Sequence, residues 1–297
     1  MVLFAVVGCR PLAPVSDPAR YPEASLIRAL PVEAPRPLEP SGLTVFGGSF
    51  YTVADKVDDT LYRVEWGEAA ARLVPHRRFV PPPGGRMDWE GITVDESGTF
   101  YLISEGQGRL ARIPGAGPAQ WTSIDLRPAG REAGLFRKRN AGFEGIARLG
   151  DSHWLGAVER EPRGLVEWRA DGTQAAYRVH TDSPFKAALP LIRIPDYSGL
   201  HADPHSGKVY ALFRNAHLIV QLEKAGESWT ETRAWSYAHI ETDPRWAYRS
   251  QTYGQAEGLV VEKDLATLIF DNNLGGRQAD PGDARPLIIQ MRLPGEP

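Results

Sequence analysis

The sequence predicts an all-β fold, a β-propeller with about four antiparallel strands per blade. Three observations carry that expectation: a short motif recurs five times, the recurrences are evenly spaced, and each is followed by apolar runs bounded by turn residues. The copies open at Ser41-Gly42-Leu43, Glu90-Gly91-Ile92, Glu144-Gly145-Ile146, Ser198-Gly199-Leu200 and Glu257-Gly258-Leu259. Successive starts lie 49, 54, 54 and 59 residues apart, room for one small sheet but too little for an independent domain. Such a sheet cannot bury both faces alone, and radial repetition solves the problem. Five copies predict five blades. A sixth, built from the segment around Ala24 to Leu30 and the run Pro286 to Met291, is the alternative.

Within each unit the elements follow one order. The first run carries the motif and ends in a polar turn, such as Asp95-Glu96-Ser97-Gly98 or Asp203-Pro204-His205-Ser206-Gly207. A second run follows, as in Phe100-Tyr101-Leu102-Ile103 or Val209-Tyr210-Ala211-Leu212-Phe213, and then a third, as in Leu110-Ala111-Arg112-Ile113. β-Branched and aromatic residues dominate these runs, and they favour a pleated, half-buried surface.

Composition agrees with a packed domain. The chain has 297 residues, 42% hydrophobic and 24% charged, with a formal net charge of −3. It can bury a sizeable core. The near balance of 34 basic against 37 acidic residues gives no global basic field, so a nucleic-acid partner is not expected. A single cysteine excludes a disulfide framework and multi-cysteine metal sites. The sequence lacks GxSxG, Walker A, GxGxxG and HExxH patterns.

That cysteine, Cys9, ends the apolar stretch Phe4-Ala5-Val6-Val7-Gly8 and resembles the lipidated residue of a bacterial lipoprotein signal. Only eight residues precede it, none of them Lys or Arg, so the charged start of such a signal is missing. The competing reading is a short apolar tail. Eight prolines between Pro11 and Pro40 then favour extended chain. The expected organisation is a signal remnant at 1–9, a Pro-rich tether and N-terminal segment at 10–36, and one propeller domain at 37–297. Lipidation of Cys9 would place a monomeric domain in the periplasm, held at the outer membrane only through its anchor.

The charged residues fall in register. Glu or Ser opens the first strand, and an acidic residue usually closes the second, pairing Ser41 with Asp55, Glu90 with Glu105, Glu144 with Glu159 and Glu257 with Asp271, while Ser198 pairs with Arg214 or Asn215. In an antiparallel hairpin those two positions are neighbours. If the first strand of every blade is innermost, Asp55, Glu90, Glu105, Glu144, Glu159, Glu257 and Asp271 converge on one mouth of the central channel. Mutual repulsion would raise some of their pKa values unless cations neutralise them. Ca²⁺ is the expected cofactor, with Mg²⁺ less suited to a wide ring. Arg109, Arg160, Arg163 and Arg214 are alternative internal counter-charges.

Two loops should open on the same mouth. One carries Arg137, Lys138 and Arg139, and the other Arg249 and Tyr253; together they suit a small anionic ligand. His201-Ala202-Asp203-Pro204-His205 has the composition of a metal cluster but falls in a turn at the far end of its hairpin. Trp89, Trp154 and Trp168 are expected to pack between blades.

The repeated openings, with Asp88-Trp89-Glu90-Gly91-Ile92, Phe143-Glu144-Gly145-Ile146 and Val158-Glu159-Arg160, resemble two groups of bacterial β-propellers over about residues 37 to 293. These are the SdiA-regulated and the esterase-like phytase families. The resemblance implies an exported or membrane-anchored propeller with a calcium-associated channel site. Two functions follow as expectations: a calcium-responsive binding module of the envelope, which takes a small ligand or an envelope protein as partner, or a metal-dependent phosphoester or ester hydrolase.

Overall fold

A computed structural model describes residues 21–169, 171, 174–178, 185, 194–249 and 254–295. Its twenty strands form five four-stranded antiparallel blades. Blade 1 contains β2 (Pro40–Phe46), β3 (Ser49–Ala54), β4 (Val57–Trp66) and β5 (Ala71–Arg78). Blade 2 contains β6 (Trp89–Val94), β7 (Phe100–Ser104), β8 (Arg109–Ile113) and β9 (Gln120–Asp125). Blade 3 contains β10 (Phe143–Gly150), β11 (His153–Val158), β12 (Gly164–Arg169) and β13 (Gln174–Arg178). Blade 4 contains β14 (Gly199–Ala202), β15 (Val209–Phe213), β16 (Leu218–Ala225) and β17 (Ser228–Ser236). Blade 5 contains β18 (Ala256–Glu262), β19 (Leu265–Phe270), β20 (Leu287–Arg292) and, as its outer strand, β1 (Ser25–Glu33).

The two segments suggested for a sixth blade do pair, Ala29 with Ile289 and Leu30 with Ile288, but they complete blade 5. A boundary at residue 37 therefore separates the domain from its closing strand. β1 also meets β5 in parallel at Val32 and Glu33, which joins blades 5 and 1 along their outer edges.

The middle strands are covered on both sides by neighbouring blades and read as nearly continuous apolar runs. Every residue of β15 is buried, as are five of six in β19. Outer strands alternate instead, as β5 does. Pro75 is tolerated there because an outer strand need not donate a full ladder. Tyr51, Val53 and Leu61 of blade 1 share a core with Trp89, Ile92 and Phe100 of blade 2, and Trp89 Nε1 donates to Asp58 O at 3.0 Å. Trp154 stacks on Trp168, both buried.

The motif glycines explain the ring. β2, β6, β10, β14 and β18 touch one another around the axis. A Cβ on Gly145 would lie 2.7 Å from Leu200 N, one on Gly91 2.9 Å from Ile146 N, and one on Gly258 2.5 Å from Gly42 C. Real side chains essentially never sit so close to backbone, so only glycine lets five inner strands meet.

Candidate functional site

A β-bulge sets the aim of each motif glutamate. Trp89 pairs with Ser104 and Gly91 with Ile103, so Glu90 is an extra, unpaired residue. Glu144 and Glu257 occupy the same position in blades 3 and 5. A bulge bends the strand and redirects a side chain. The two serines behave differently: Ser41 Oγ donates to Trp89 O and Ser198 Oγ to Ala256 O at 2.7 Å, latching each blade to the next.

All seven expected carboxylates line one cavity of about 710 Å³, together with Asp88, Lys56, Arg86, Arg160 and Arg214. Eight carboxylates thus face four basic groups. Of the four expected counter-charges, only Arg160 and Arg214 are here. Arg163 is buried elsewhere with Glu231 at 2.9 Å, and Arg109 donates to Thr122 O.

Pairing is uneven. Arg86 binds Asp55, and Asp88 at 2.9 Å; Arg160 binds Glu159. Arg214 binds Glu159, Asp196 and Glu257. Glu105 accepts from Gly142 N at 2.8 Å and Asp271 from Asn273 N at 2.7 Å. Among the described residues, the side chains of Glu90 and Glu144 make neither hydrogen bond nor ion pair, although Glu144 is only 8% exposed and feels Arg214 at longer range.

The electrostatic consequences follow from burial and crowding. Burial, then Glu257, Asp55 and Asp88, hold the Glu90 pKa well above the carboxylate range. Burial and Glu90 do the same to Glu144. Burial carries Glu257 up to about 8 against the opposing pull of Arg214. Asp88, buried beside Asp55, rises to about 6, and burial takes Asp271 to about 6.

Two groups have the donor set of a hard-cation site. Asp55, Asp88 and Glu90 form one, and Glu105, Glu144 and Glu159 the other; within each, ligand oxygens lie within 4.8 Å of one another. Both straddle neighbouring blades, and their oxygen-only chemistry fits Ca²⁺ or Mg²⁺ better than Zn²⁺.

A second cavity of about 410 Å³ shares Asp88, Glu105 and Asn140 with the first. Arg127, Arg131, Arg137, Lys138 and Arg139 line it, on and after the short helix α1 (Arg127–Glu132). Lys138 reaches Glu161 at 3.3 Å. Arg249 is exposed, lines neither cavity, and is held through its backbone N–H to Gly276 O. The structure does not bring it to either cavity. Tyr253 and Cys9 lie outside the described residues. The 201–205 cluster is a turn: Asp203 accepts from His205 N at 3.0 Å and Ser206 Oγ at 2.6 Å.

The sequence reading missed Asp88 and Asp196. Both lie two residues ahead of the motif Ser or Glu, as does Glu39, so a third acidic column was present in the repeat.

No curated protein sequence matches the chain significantly. Among solved structures it is similar to the PQQ-bound aldose sugar dehydrogenase of Streptomyces coelicolor, at 14% identity and a TM-score of 0.49, covering 91% of this chain and 98% of that one. It is also similar to a gluconolactonase of Xanthomonas campestris (14% identity, TM-score 0.47, 96% and 90% covered) and to virginiamycin B lyase of Staphylococcus aureus (11%, 0.43, 92% and 100%). The model of the SdiA-regulated family matches residues 82–264, a span that takes in four of the five motif copies and both carboxylate groups except Asp55. The chain therefore belongs to the SdiA-regulated family.

Proposed function

We propose that the protein is an envelope β-propeller whose acidic cavity binds calcium and acts as a calcium-responsive binding module, anchored through a lipid on Cys9. The observation that carries the reading is the pair of unpartnered glutamates. Glu90 and Glu144 are placed by bulges in a cavity with twice as many carboxylates as basic groups. Ionising both at neutral pH requires added positive charge, and a divalent ion held by each carboxylate group supplies it. Thermal unfolding with a chelator and then with millimolar Ca²⁺ tests the site. Saturation a hundredfold above Kd adds about 2.7 kcal/mol, roughly 5–10 °C for a domain of this size. An unchanged Tm overturns the reading. Mass spectrometry of membrane-fraction protein tests the anchor, and an unmodified Cys9 in a correctly started product removes it.

A second reading, metal-dependent phosphoester or ester hydrolysis, is favoured by the wall the two cavities share. Divalent ions in the carboxylate groups would supply Lewis-acid chemistry and an activated water. Arg137, Lys138 and Arg139 would hold the anionic part of the substrate beside them. A calcium-supplemented screen of phosphomonoesters and carboxylesters, with Glu90→Gln as control, tests it; turnover unchanged in that variant places the chemistry elsewhere.

A further inference from the structure

Blade 4 breaks the charge pattern. The residue directly after the second strand is Asp55, Glu105, Glu159 and Asp271 in blades 1, 2, 3 and 5, but Arg214 in blade 4. Its guanidinium is the hub of three carboxylates from three blades. Nε donates to Asp196 Oδ2 at 2.8 Å, Nη2 to Glu159 Oε1 at 2.7 Å, and Nη1 to Glu257 Oε1.

The grouping repeats a relation seen twice elsewhere in the cavity. Between blades 1 and 2, the closing residue Asp55 meets the opening Glu90 and its upstream Asp88; between blades 2 and 3, Glu105 meets Glu144. Between blades 4 and 5, the closing residue meets the opening Glu257 but is itself a cation; Gln255 stands two residues upstream of Glu257, and the further acid, Asp196, comes from blade 4's own upstream position, two residues before Ser198. A separate observation concerns unpartnered oxygens of blade 5 that line the same cavity. Gln255 and Asn272 line the cavity, are 8% and 2% exposed, and their amide oxygens have no hydrogen-bond partner; neither does Glu257 Oε2. Asn272 Nδ2 donates to Gly275 O at 2.6 Å and Ala284 O at 2.8 Å, which fixes the orientation of its amide. Carboxylate and amide oxygens together are the ligand chemistry of a hard divalent cation.

We propose that Arg214 is the resident cation of the ring: it fills a third cation position made by Glu159, Asp196 and Glu257, and so limits the cavity to two divalent ions. A guanidinium serves three carboxylates with a fixed fork of donors and stays charged at any physiological pH. Its removal leaves three carboxylates, with the unused Glu257 Oε2 among their oxygens, around a vacant position in the same cavity as the Gln255 and Asn272 amides, and a Ca²⁺ ion then occupies it. The first two positions rest on the calcium reading above; the third does not need it.

The test uses the full chain as wild type, Arg214→Gln and Arg214→Lys. Chelator-treated protein is titrated with Ca²⁺ calorimetrically, and thermal unfolding is followed by circular dichroism. The expected stoichiometry is two ions in wild type and in Arg214→Lys, and three in Arg214→Gln. In chelator, Arg214→Gln should melt lower than wild type, and millimolar Ca²⁺ should recover it by a larger shift than wild type shows. A purely structural salt bridge would not change the ion count. An Arg214→Gln protein with the wild-type count, or one that calcium does not restore to the folded state, overturns the proposal, as does an extra ion in Arg214→Lys. Wild type binding no calcium while Arg214→Gln binds one would sink the reading of the two carboxylate groups and leave this inference standing; equal counts of two would do the reverse.

Discussion

Gly258 of the last blade faces Gly42 of the first so closely that a methyl group at 258 would lie 2.5 Å from Gly42 C and 2.7 Å from Leu43 N. The motif glycine is thus a condition for closing the ring. Gly258→Ala should destabilise the protein by about 1–3 kcal/mol, because the obstacle is backbone that cannot swing aside. Chemical denaturation checks this, and wild-type stability in the variant would show that the inner strands have room to part.

Glu90→Gln should act in opposite directions with and without calcium. In chelator it removes a buried carboxylate crowded by Glu257, Asp55 and Asp88, and Tm should rise by a few degrees, roughly 1 kcal/mol. With calcium it removes a ligand, and the calcium-induced shift should shrink. Paired melting curves read both signs, and a lower Tm in chelator would contradict the electrostatic account.

The pH dependence follows from the raised carboxylates. An acid with a higher pKa in the folded state binds more protons folded than unfolded, so stability is fully present below the unfolded value and is lost as pH climbs through the folded one. Asp88 and Asp271, near 6, and Glu257, near 8, should make the calcium-free protein less stable as pH rises. His201, lowered to about 4 by burial, opposes them between about 4 and 6.5, so the decline should be clearest from 6.5 to 8. Glu257→Gln should flatten that limb, as should saturating calcium. Denaturant midpoints at half-unit pH steps measure it.

Arg163→Ala should cost about 3–5 kcal/mol, since it strands a buried charge. Arg163 is 1% exposed, sits 2.9 Å from Glu231, and stacks 4.6 Å from the Tyr197 ring centroid and 4.3 Å from that of Phe213. This packing lies apart from the acidic cavity, so calcium stoichiometry should not change.

How much of this was legible depended on what repeats. Five copies of a Gly motif were enough for five blades, and the register of Glu90, Glu144 and Glu257 was enough to bring seven carboxylates to one cavity. The bulge that aims those glutamates was invisible, because it arises from a mismatch between paired strands. The hub role of Arg214 was equally hidden: the position reads as an exception in the alignment, and only its three partners give it meaning. Arg249 differs for the opposite reason: its loop follows no repeat, so no register ties it to the cavity, whose lining it does not join. From sequence the closing strand fits only the alternative sixth blade, because Ala24–Leu30 carries no copy of the Gly motif, and its pairing with β20 is what assigns it to blade 5.

Blade 5 holds residues from both ends of the domain, with Ser25 opposite Arg292. During synthesis, four blades can form as they leave the ribosome, whereas β1 must wait through more than 250 residues for β20. Until then the nascent chain carries an unpaired strand edge and an open arc of inner strands. Ring closure is therefore a late event, tied to completion of the chain, and the carboxylates of blade 5 reach those of blades 1 and 2 only then. A chain that stops short of β20 would leave Glu257 and Asp271 on an unfinished blade, apart from the carboxylates of blades 1 and 2.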